Sequence, residues 1–203
     1  MKTEKWRKAY KRLENNILVK IKLLKQGILK TETDLIVVSL FKDIIPLKGT
    51  AGYVDWMYNG KISDLIAKKK VFGLFKETVL FSTQNKIPAE KILFLGFGKA
   101  AKMEPTKLLY LYSNLVKILR RIDIYQFGIG VDIPYSIDIN EYRRMSNNMI
   151  EGLIQGFKKI ELRHSEYTVK IAEEDDERFN ELRKVLRLAF NNLKATPEFI
   201  LEN

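Results

Sequence analysis

Apolar positions along this chain follow two periods, and their succession predicts alternating strands and helices. Leu35–Phe41 is apolar at every position except Ser39, which is typical of a central strand covered on both faces. After Pro105 the apolar side chains instead recur every three or four positions to residue 121, which predicts an amphipathic helix. This interleaving predicts an α/β fold in which a mixed sheet is sandwiched between helices.

The same periods place the other elements. Further strands are predicted over 17–24, 74–82, 91–97, 123–131 and 168–172. Further helices are predicted over 55–57 and 63–69, then after Asp138 or Asn140, and finally after Asp175 or Asp176. The strands over 74–82 and 91–97 are expected to pair antiparallel, with Pro88 in their connection. Ser63 or Asp64 is the expected cap of the 63–69 helix, and Trp56 is expected to anchor packing rather than to stack on a base.

Length and composition limit the class of protein. The 203 residues, 46% hydrophobic and 30% charged, suit one soluble globular domain with some chain to spare. No apolar run is long enough to span a membrane and the N-terminus is too charged for a secretory signal, so we expect a cytoplasmic protein without a membrane partner. Cysteine is absent and His164 is the single histidine, so thiolate and multi-histidine metal sites are excluded and no cofactor or metal is expected.

Basic residues are concentrated at the N-terminus. The net charge is +11, and residues 1–31 hold ten Lys or Arg against two Glu, a surplus of eight. Trp6, Tyr10 and Leu13 form an apolar stripe there, which predicts a basic amphipathic helix within residues 1–16. The opposite face carries the candidate nucleic-acid contacts Lys5, Lys8, Lys11 and Arg12. A solvated face that keeps the protein soluble is the alternative interpretation.

Two glycine-containing loops are the strongest candidates for a ligand site. Gly96, Gly98 and Lys99 follow a predicted strand and precede the Pro105 helix, where backbone amides can hold a phosphate. The candidates Gly49, Thr50 and Gly52 are expected to line the same cleft. The alternative for Gly96 and Gly98 is a tight turn that needs a positive φ. The acidic run over 173–177 is interpreted as helix capping rather than a cation site, and His164 as a surface or capping residue.

Several short motifs occur in the order found in one peptidase family. They are Asp34 before a strand, Pro46–Asp55, Gly60–Ser63, Phe72–Glu77, Gly96–Lys99, Glu151–Phe157 and a last helix running to Pro197. In this order the chain resembles the N-terminal domain of the leucyl aminopeptidase family of dizinc peptidases. The resemblance implies a macro-like fold, with 17–172 as the macro-like domain and 173–203 as a segment similar to the family's interdomain connector. The basic helix over 1–16 precedes the part of the chain that the resemblance covers.

The resemblance also frames the expected function. The Asn-Thr-Asp-Ala-Glu-Gly-Arg signature of the dizinc domain does not occur in this sequence, which ends about where that domain would begin, so no catalytic residues are assigned. We expect a non-catalytic domain acting in assembly or regulation, with a homo-oligomer or a separate aminopeptidase-like subunit as partner and possible nucleic-acid contact. The alternatives are a nucleotide- or phosphate-binding module and one half of a split metallo-aminopeptidase. ADP-ribose is disfavoured because Ser39-Leu-Phe-Lys stands where macrodomains usually carry an Asn-rich loop.

Overall fold

A computed structural model describes residues 17–131, 137–161, 164–191 and 197–202. The predicted basic helix and its four candidate cations lie outside the described residues. The strands are β1 (Leu18–Leu24), β2 (Leu35–Phe41), β3 (Thr78–Ser82), β4 (Lys91–Gly98), β5 (Gln126–Gly130), β6 (Glu166–Ala172) and β7 (Glu198–Glu202). The α-helices are α1 (Gly49–Met57), α2 (Lys61–Ala67), α3 (Pro105–Arg121), α4 (Ile139–Lys159) and α5 (Asp176–Asn191).

The strands form one seven-stranded sheet in the order β3-β4-β2-β5-β6-β1-β7. Only β3 runs antiparallel to its neighbour, with Leu80 opposite Leu93, and the other described pairs are parallel. The predicted mixed sheet between helices is therefore confirmed, as is the antiparallel pairing of β3 with β4. Strand β7, which the sequence pattern did not predict, pairs with β1 and forms one edge.

Each face of the sheet has its own apolar core. Leu35 and Val37 of β2 point to the side covered by α3, α4 and α5, while Ile36 and Val38 point to the side covered by α1 and α2. All seven residues of β2 are buried, so the continuous apolar run has the central position that its pattern predicts. This two-sided burial fixes β2 and its neighbours as the rigid base on which the loops at their ends are held.

Helices α3 and α4 approach each other very closely. Alanine at Gly152 would place its Cβ 2.5 Å from the carbonyl oxygen of Leu109, and alanine at Gly156 would place it 2.7 Å from a methyl group of Val116. Both glycines belong to the Glu151–Phe157 motif. Their function in this fold is therefore to let two helices touch backbone to backbone.

Candidate functional site

Both glycine loops lie at the carboxyl edge of the sheet. In a parallel sheet the loops that follow the strands meet at this edge, which is where α/β proteins usually bind ligands. The loop with Gly49 follows β2, and the loop with Gly98 ends the adjacent strand β4. A hydrogen bond of 2.8 Å from the Lys42 amide to the Gly98 carbonyl joins the two strand ends. The structure thus joins the ends of the two strands that precede the loops, but Gly96, Gly98 and Lys99 do not line the cleft beside Thr50, so the two loops do not share that cleft as predicted.

The amides of the second loop already have protein partners. The Gly96 N–H donates to the Glu77 carbonyl at 2.7 Å, and the Gly98 N–H donates to the Gly73 carbonyl at 2.9 Å. The amide of Ala100 donates to the Asp43 carboxylate at 2.8 Å. Because these donors are used and a carboxylate lies beside them, this loop offers a phosphate neither free Gly96 and Gly98 amides nor a uniformly positive field.

The motif residues around this loop build one interlocked backbone unit. The Glu77 carboxylate accepts the amides of Phe72 and Leu74, which closes the 72–77 turn. Gly96 has no room for a side chain, because a Cβ there would lie 1.9 Å from the Leu74 carbonyl oxygen. Gly98 has a φ of 74°, the conformation that the tight-turn alternative requires. The residues of these motifs therefore stabilise the fold. The side chain of Lys99, beside them, is exposed.

The first loop begins helix α1. Gly49 has a φ of 57°, which favours glycine. A Cβ on Gly52 would lie 2.5 Å from the Leu47 carbonyl oxygen, so both positions require glycine for structural reasons. Among the three candidates of this loop, Thr50 reaches a cleft at the sheet edge. The phosphate site on the two loops stays a prediction, and any ligand contact there would have to use Thr50, Lys99 or other groups than the paired amides.

Asp55, the last residue of the Pro46–Asp55 motif, caps the next helix. Its carboxylate accepts the amides of Ile62 and Ser63 at 2.8 and 2.9 Å and also the Ser63 hydroxyl. The predicted cap, Ser63 or Asp64, is therefore wrong, because the helix begins at Lys61 and a carboxylate from the preceding helix takes its free amides. The spacing of the motif to Gly60–Ser63 is the signal that could have found this contact.

The cleft beside Thr50 has a volume of about 160 Å³ and is enclosed by strand ends and by the start of α5. Its floor and walls include Gly27 after β1 and Gly130 at the end of β5. Two carboxylates, Glu173 and Glu174, and the guanidinium of Arg178 complete it. The carboxylates outnumber the cation, so the local field opposes a phosphate group.

Glu173 is buried and held in place by two donors. Its carboxylate accepts the Tyr142 hydroxyl at 2.8 Å and the Asp175 amide at 3.0 Å. Burial raises the pKa of Tyr142, and the Glu173 charge beside it raises that pKa further, so the phenol remains a donor at every physiological pH. The Arg178 guanidinium lies 5.3 Å from the centre of the Tyr142 ring. The wall of the cleft is thus a fixed polar network.

The acidic run that contains Glu173 caps helix α5. Asp175 accepts the Arg178 amide at 2.9 Å, as the capping interpretation predicts, and Asp138 likewise accepts the Glu141 amide at the start of α4. Within the described ranges, no group of three His, Asp or Glu side chains is arranged to hold a metal ion. In those ranges, too, no helix is both long and apolar enough to cross a membrane.

His164 lies on the surface and is positioned by neighbours. Its Nε2 is 3.1 Å from the Asp123 carboxylate, and its ring packs on Tyr125 with centroids 4.1 Å apart. The ring is half-buried and distant in the fold from the carboxyl-edge cleft, because Asp123 precedes β5 at the opposite end of the strand. The structural role expected from the sequence fits these contacts.

Two aromatic residues of α1 are exposed side by side. Trp56 is 72% exposed and Tyr53 is 55% exposed, and their ring centroids are 5.7 Å apart. The prediction that Trp56 anchors packing is wrong, because the inward face of α1 is made by Ala51 and Val54. A large aromatic pair in solvent is unusual and marks a surface where a protein could gain much burial.

The comparisons with known proteins agree with this architecture. A solved structure of an Oceanobacillus iheyensis macrodomain with ADP superposes with a TM-score of 0.65 at 10% identity, covering 84% of this chain and 92% of that one. A tomato leucine aminopeptidase variant superposes with a TM-score of 0.64 at 10% identity, covering 86% of this chain and 36% of that one. The fold is therefore macrodomain-like.

Sequence matches then identify the family. The model of the cytosol aminopeptidase family, N-terminal domain, matches residues 37–157. A probable cytosol aminopeptidase of Sulfurihydrogenibium sp. is 24% identical over 193 residues, which are 91% of this chain and 38% of that protein. One of Alkaliphilus metalliredigens is 25% identical over 116 residues, 55% of this chain and 23% of that protein. The chain belongs to the cytosol aminopeptidase family, whose N-terminal domain it contains, and it spans well under half the length of these relatives.

Proposed function

We propose that this chain is a non-catalytic assembly domain of the cytosol aminopeptidase family, which binds a protein partner through the exposed aromatic pair on α1. The family match covers the N-terminal domain, and the motifs that carry the match have structural roles in the fold. Glu77, Gly96 and Gly98 lock the end of β4, Asp55 caps α2, and Gly152 lets two helices meet. None of these motif residues is left over to perform chemistry on a substrate.

The observation that carries the proposal is the exposure of Trp56 and Tyr53. They lie three residues apart on α1, so they share one face of the helix, while Asp55 is turned inward to cap α2. Trp and Tyr are the residues that most often dominate binding energy in protein interfaces, since each can bury a large area at low cost in side-chain entropy. The partner is a second copy of this chain or an aminopeptidase-like subunit.

We expect Trp56→Lys to remove the part of the assembly that depends on α1. The measurement is light scattering after size-exclusion chromatography, in two arms. The first arm contains the chain alone, and the second contains the chain mixed with the segment of the Sulfurihydrogenibium relative that lies outside the match. The unaltered chain should form a complex in at least one arm. Loss of a Trp anchor typically costs about 2 kcal/mol or more, so affinity in that arm should fall at least about thirtyfold.

The matched control is Leu188→Lys, which places the same charge on the exposed face of α5. Leu188 is 70% exposed, so the two substitutions start from similarly accessible apolar side chains. We expect this control to assemble as the unaltered chain does. The proposed function would be refuted if the unaltered chain formed no complex in either arm, or if the Trp56→Lys variant assembled with unchanged affinity.

Catalytic silence is the second expected result. Purified chain incubated with Zn²⁺ or Mn²⁺ and a leucyl chromogenic substrate should release product no faster than the metal alone. A dizinc hydrolase needs carboxylates that bridge two ions and position a water molecule, and the assembly proposal assigns no residue to either task. Saturable hydrolysis that copurifies with the chain would contradict the non-catalytic part of the proposal while leaving the α1 surface to be judged by its own variant.

The other functions expected from the sequence remain predictions. Nucleic-acid contact depends on Lys5, Lys8, Lys11 and Arg12, which lie outside the described residues. Nucleotide binding would have to overcome the paired amides of the Gly96 loop and the carboxylates of the cleft. The split-peptidase alternative makes the partner an aminopeptidase-like subunit, which the mixed arm of the experiment above includes.

A further inference from the structure

Strand β3 forms one edge of the sheet, and its outer side has no strand beside it among the described residues. Successive residues of this strand point their N–H and C=O groups to opposite sides, as in every antiparallel ladder. The Glu77 carbonyl accepts from Gly96, and the Thr83 amide donates to Glu90, so the odd-numbered residues turn their polar groups towards β4. Thr78, Leu80 and Ser82 therefore direct their N–H and C=O groups to the open side.

The side chains of the same three residues share one face of β3. Leu80 is opposite Leu93, whose side chain belongs to the core under α3, α4 and α5. Those helices do not reach over β3, since Thr78, Leu80 and Ser82 are all exposed and Leu80 is 50% accessible. Val79 and Phe81 face the other way and pack in the core beneath α1 and α2. The strand is thus firmly held on one face and open on the other face and along its edge.

The edge carries none of the usual protection against pairing. Natural edge strands are commonly blunted by charged residues or proline, which prevent another strand from adding to the sheet. The opposite edge, β7, follows this rule with the exposed Glu198 at its first position. The five residues of β3, Thr-Val-Leu-Phe-Ser, contain no charge and no proline. The two edges of the same sheet therefore differ, and among the described strands β3 is the edge strand that carries no charge.

We propose that β3 pairs antiparallel with β3 of a second copy of this chain, with Leu80 opposite Leu80 on the two-fold axis. In this register Thr78 of one copy lies opposite Ser82 of the other, and the outward groups can form about six hydrogen bonds across the axis. Flanking charges do not oppose each other, since Glu77 lies opposite Thr83 and Lys76 opposite Gln84. No like charges meet in this register, and the outward N–H and C=O groups of one copy match those of the other, so a second copy is the proposed occupant.

A groove lies over the exposed face of the β3–β4 pair at its Ser82 end, so no other described element covers this part of the strand. It has a volume of about 590 Å³ and extends from Leu80 past Gln84 and Asn85 to Glu90 and Lys91. One short strand pair buries less surface than a typical permanent dimer, so we expect a Kd of about 10–100 µM. The contact uses none of the α1 residues, and this inference therefore goes beyond the assembly surface proposed above.

The test uses the full chain carrying Trp56→Lys, so that association through α1 cannot obscure association through β3. Sedimentation equilibrium should show a reversible monomer–dimer equilibrium of the 23.7 kDa chain. Adding Leu80→Lys should weaken the dimer at least about tenfold, because two ammonium groups would meet across the axis. Adding Leu80→Glu should do the same. Leu188→Lys is the matched control and should leave the equilibrium unchanged.

Mixing the two charged variants makes the test specific for the register. If residue 80 of one copy lies opposite residue 80 of the other, the Leu80→Lys and Leu80→Glu chains should each dimerise weakly alone and recover the stronger dimer when mixed. A strand pair with a different register, or a different partner surface, would not show this recovery. Absence of a dimer at 500 µM (about five times the upper end of the expected Kd range), or a mixture that dimerises no better than either variant alone, would overturn the inference without affecting the test of Trp56.

Discussion

Gly96→Ala is expected to destabilise the domain by about 4 kcal/mol, a large part of the stability of a domain of this size. The new methyl group would lie 1.9 Å from the Leu74 carbonyl oxygen, which is backbone and cannot turn away as a side chain would. Moving the 72–77 turn outward would break the bonds that join this segment to β4, from the Gly96 amide to the Glu77 carbonyl and from the Lys76 amide to the Gly96 carbonyl. Thermal unfolding followed by circular dichroism should show the midpoint lowered by about 8–16 °C.

Gly60→Ala separates this clash from the conformational demand of glycine. Gly60 has a φ of 73°, yet a Cβ there meets no atom within 4 Å, so alanine should cost only about 1–2 kcal/mol from the left-handed backbone. The difference between the two variants measures the contact with Leu74. If both variants melt within about 2 °C of each other, the close approach of the turn to β4 is not what requires Gly96.

The core elements of the fold could be predicted from local pattern. Strand β2 is recognisable as a run that is apolar except at Ser39. Helices α3 and α4 are recognisable from apolar residues at helical spacing after Pro105 and Asp138. Such elements are recognisable because the burial that stabilises them leaves a period in the sequence. The family motifs added the macro-like arrangement of these elements, which no single period contains.

The remaining elements depend on partners distant in the sequence. Helix α1 spans Gly49–Met57 and contains two glycines, so its propensity is poor and the predicted helix covered only its end. It forms because Ala51 and Val54 pack on the sheet. Strand β7 has only five residues, and this short segment is a strand because β1 provides its hydrogen-bond partners. Local propensity cannot foresee either form of support.

The candidate site shows the same division at the level of single residues. The sequence placed Gly96 and Gly98 in a loop at the end of a strand, and the structure has them there. The sequence could not show that the amides of these two glycines donate to the carbonyl groups of Glu77 and Gly73. Those hydrogen bonds join segments about twenty residues apart in the chain. Glu173 and Tyr142 meet across thirty-one residues and were likewise invisible as a pair. Whether a glycine loop is open to a ligand is decided by such contacts.

The exposure of Trp56 is the clearest case in which a general preference was misleading. Large aromatic residues are usually at least partly buried, and a Trp beside a glycine turn fits a packing role. Here the inward face of α1 is formed by Ala51, Val54 and Asp55. Trp56 lies outside this face and is exposed to solvent. The consequence is the aromatic surface on which the proposed assembly depends.

Gly152→Ala tests the contact between α3 and α4 by the sign of its effect. In a helix without close neighbours, alanine in place of glycine stabilises by about 1 kcal/mol through its better helix propensity. At Gly152 the added Cβ would lie 2.5 Å from the Leu109 carbonyl oxygen, so the helices must separate and the core between them must open. We expect a net loss of about 3 kcal/mol and a midpoint lowered by about 6–12 °C.

Gly156→Ala, one turn further along α4, gives the graded comparison. Its Cβ would meet a Val116 methyl group at 2.7 Å and the Ser113 carbonyl oxygen at 2.9 Å, so part of the overlap is with a side chain rather than backbone. This variant should therefore be destabilised less than Gly152→Ala but still fall below the unaltered protein. A rise in the melting midpoint for Gly152→Ala would mean that propensity outweighs contact and that the two helices are not in backbone contact at this position.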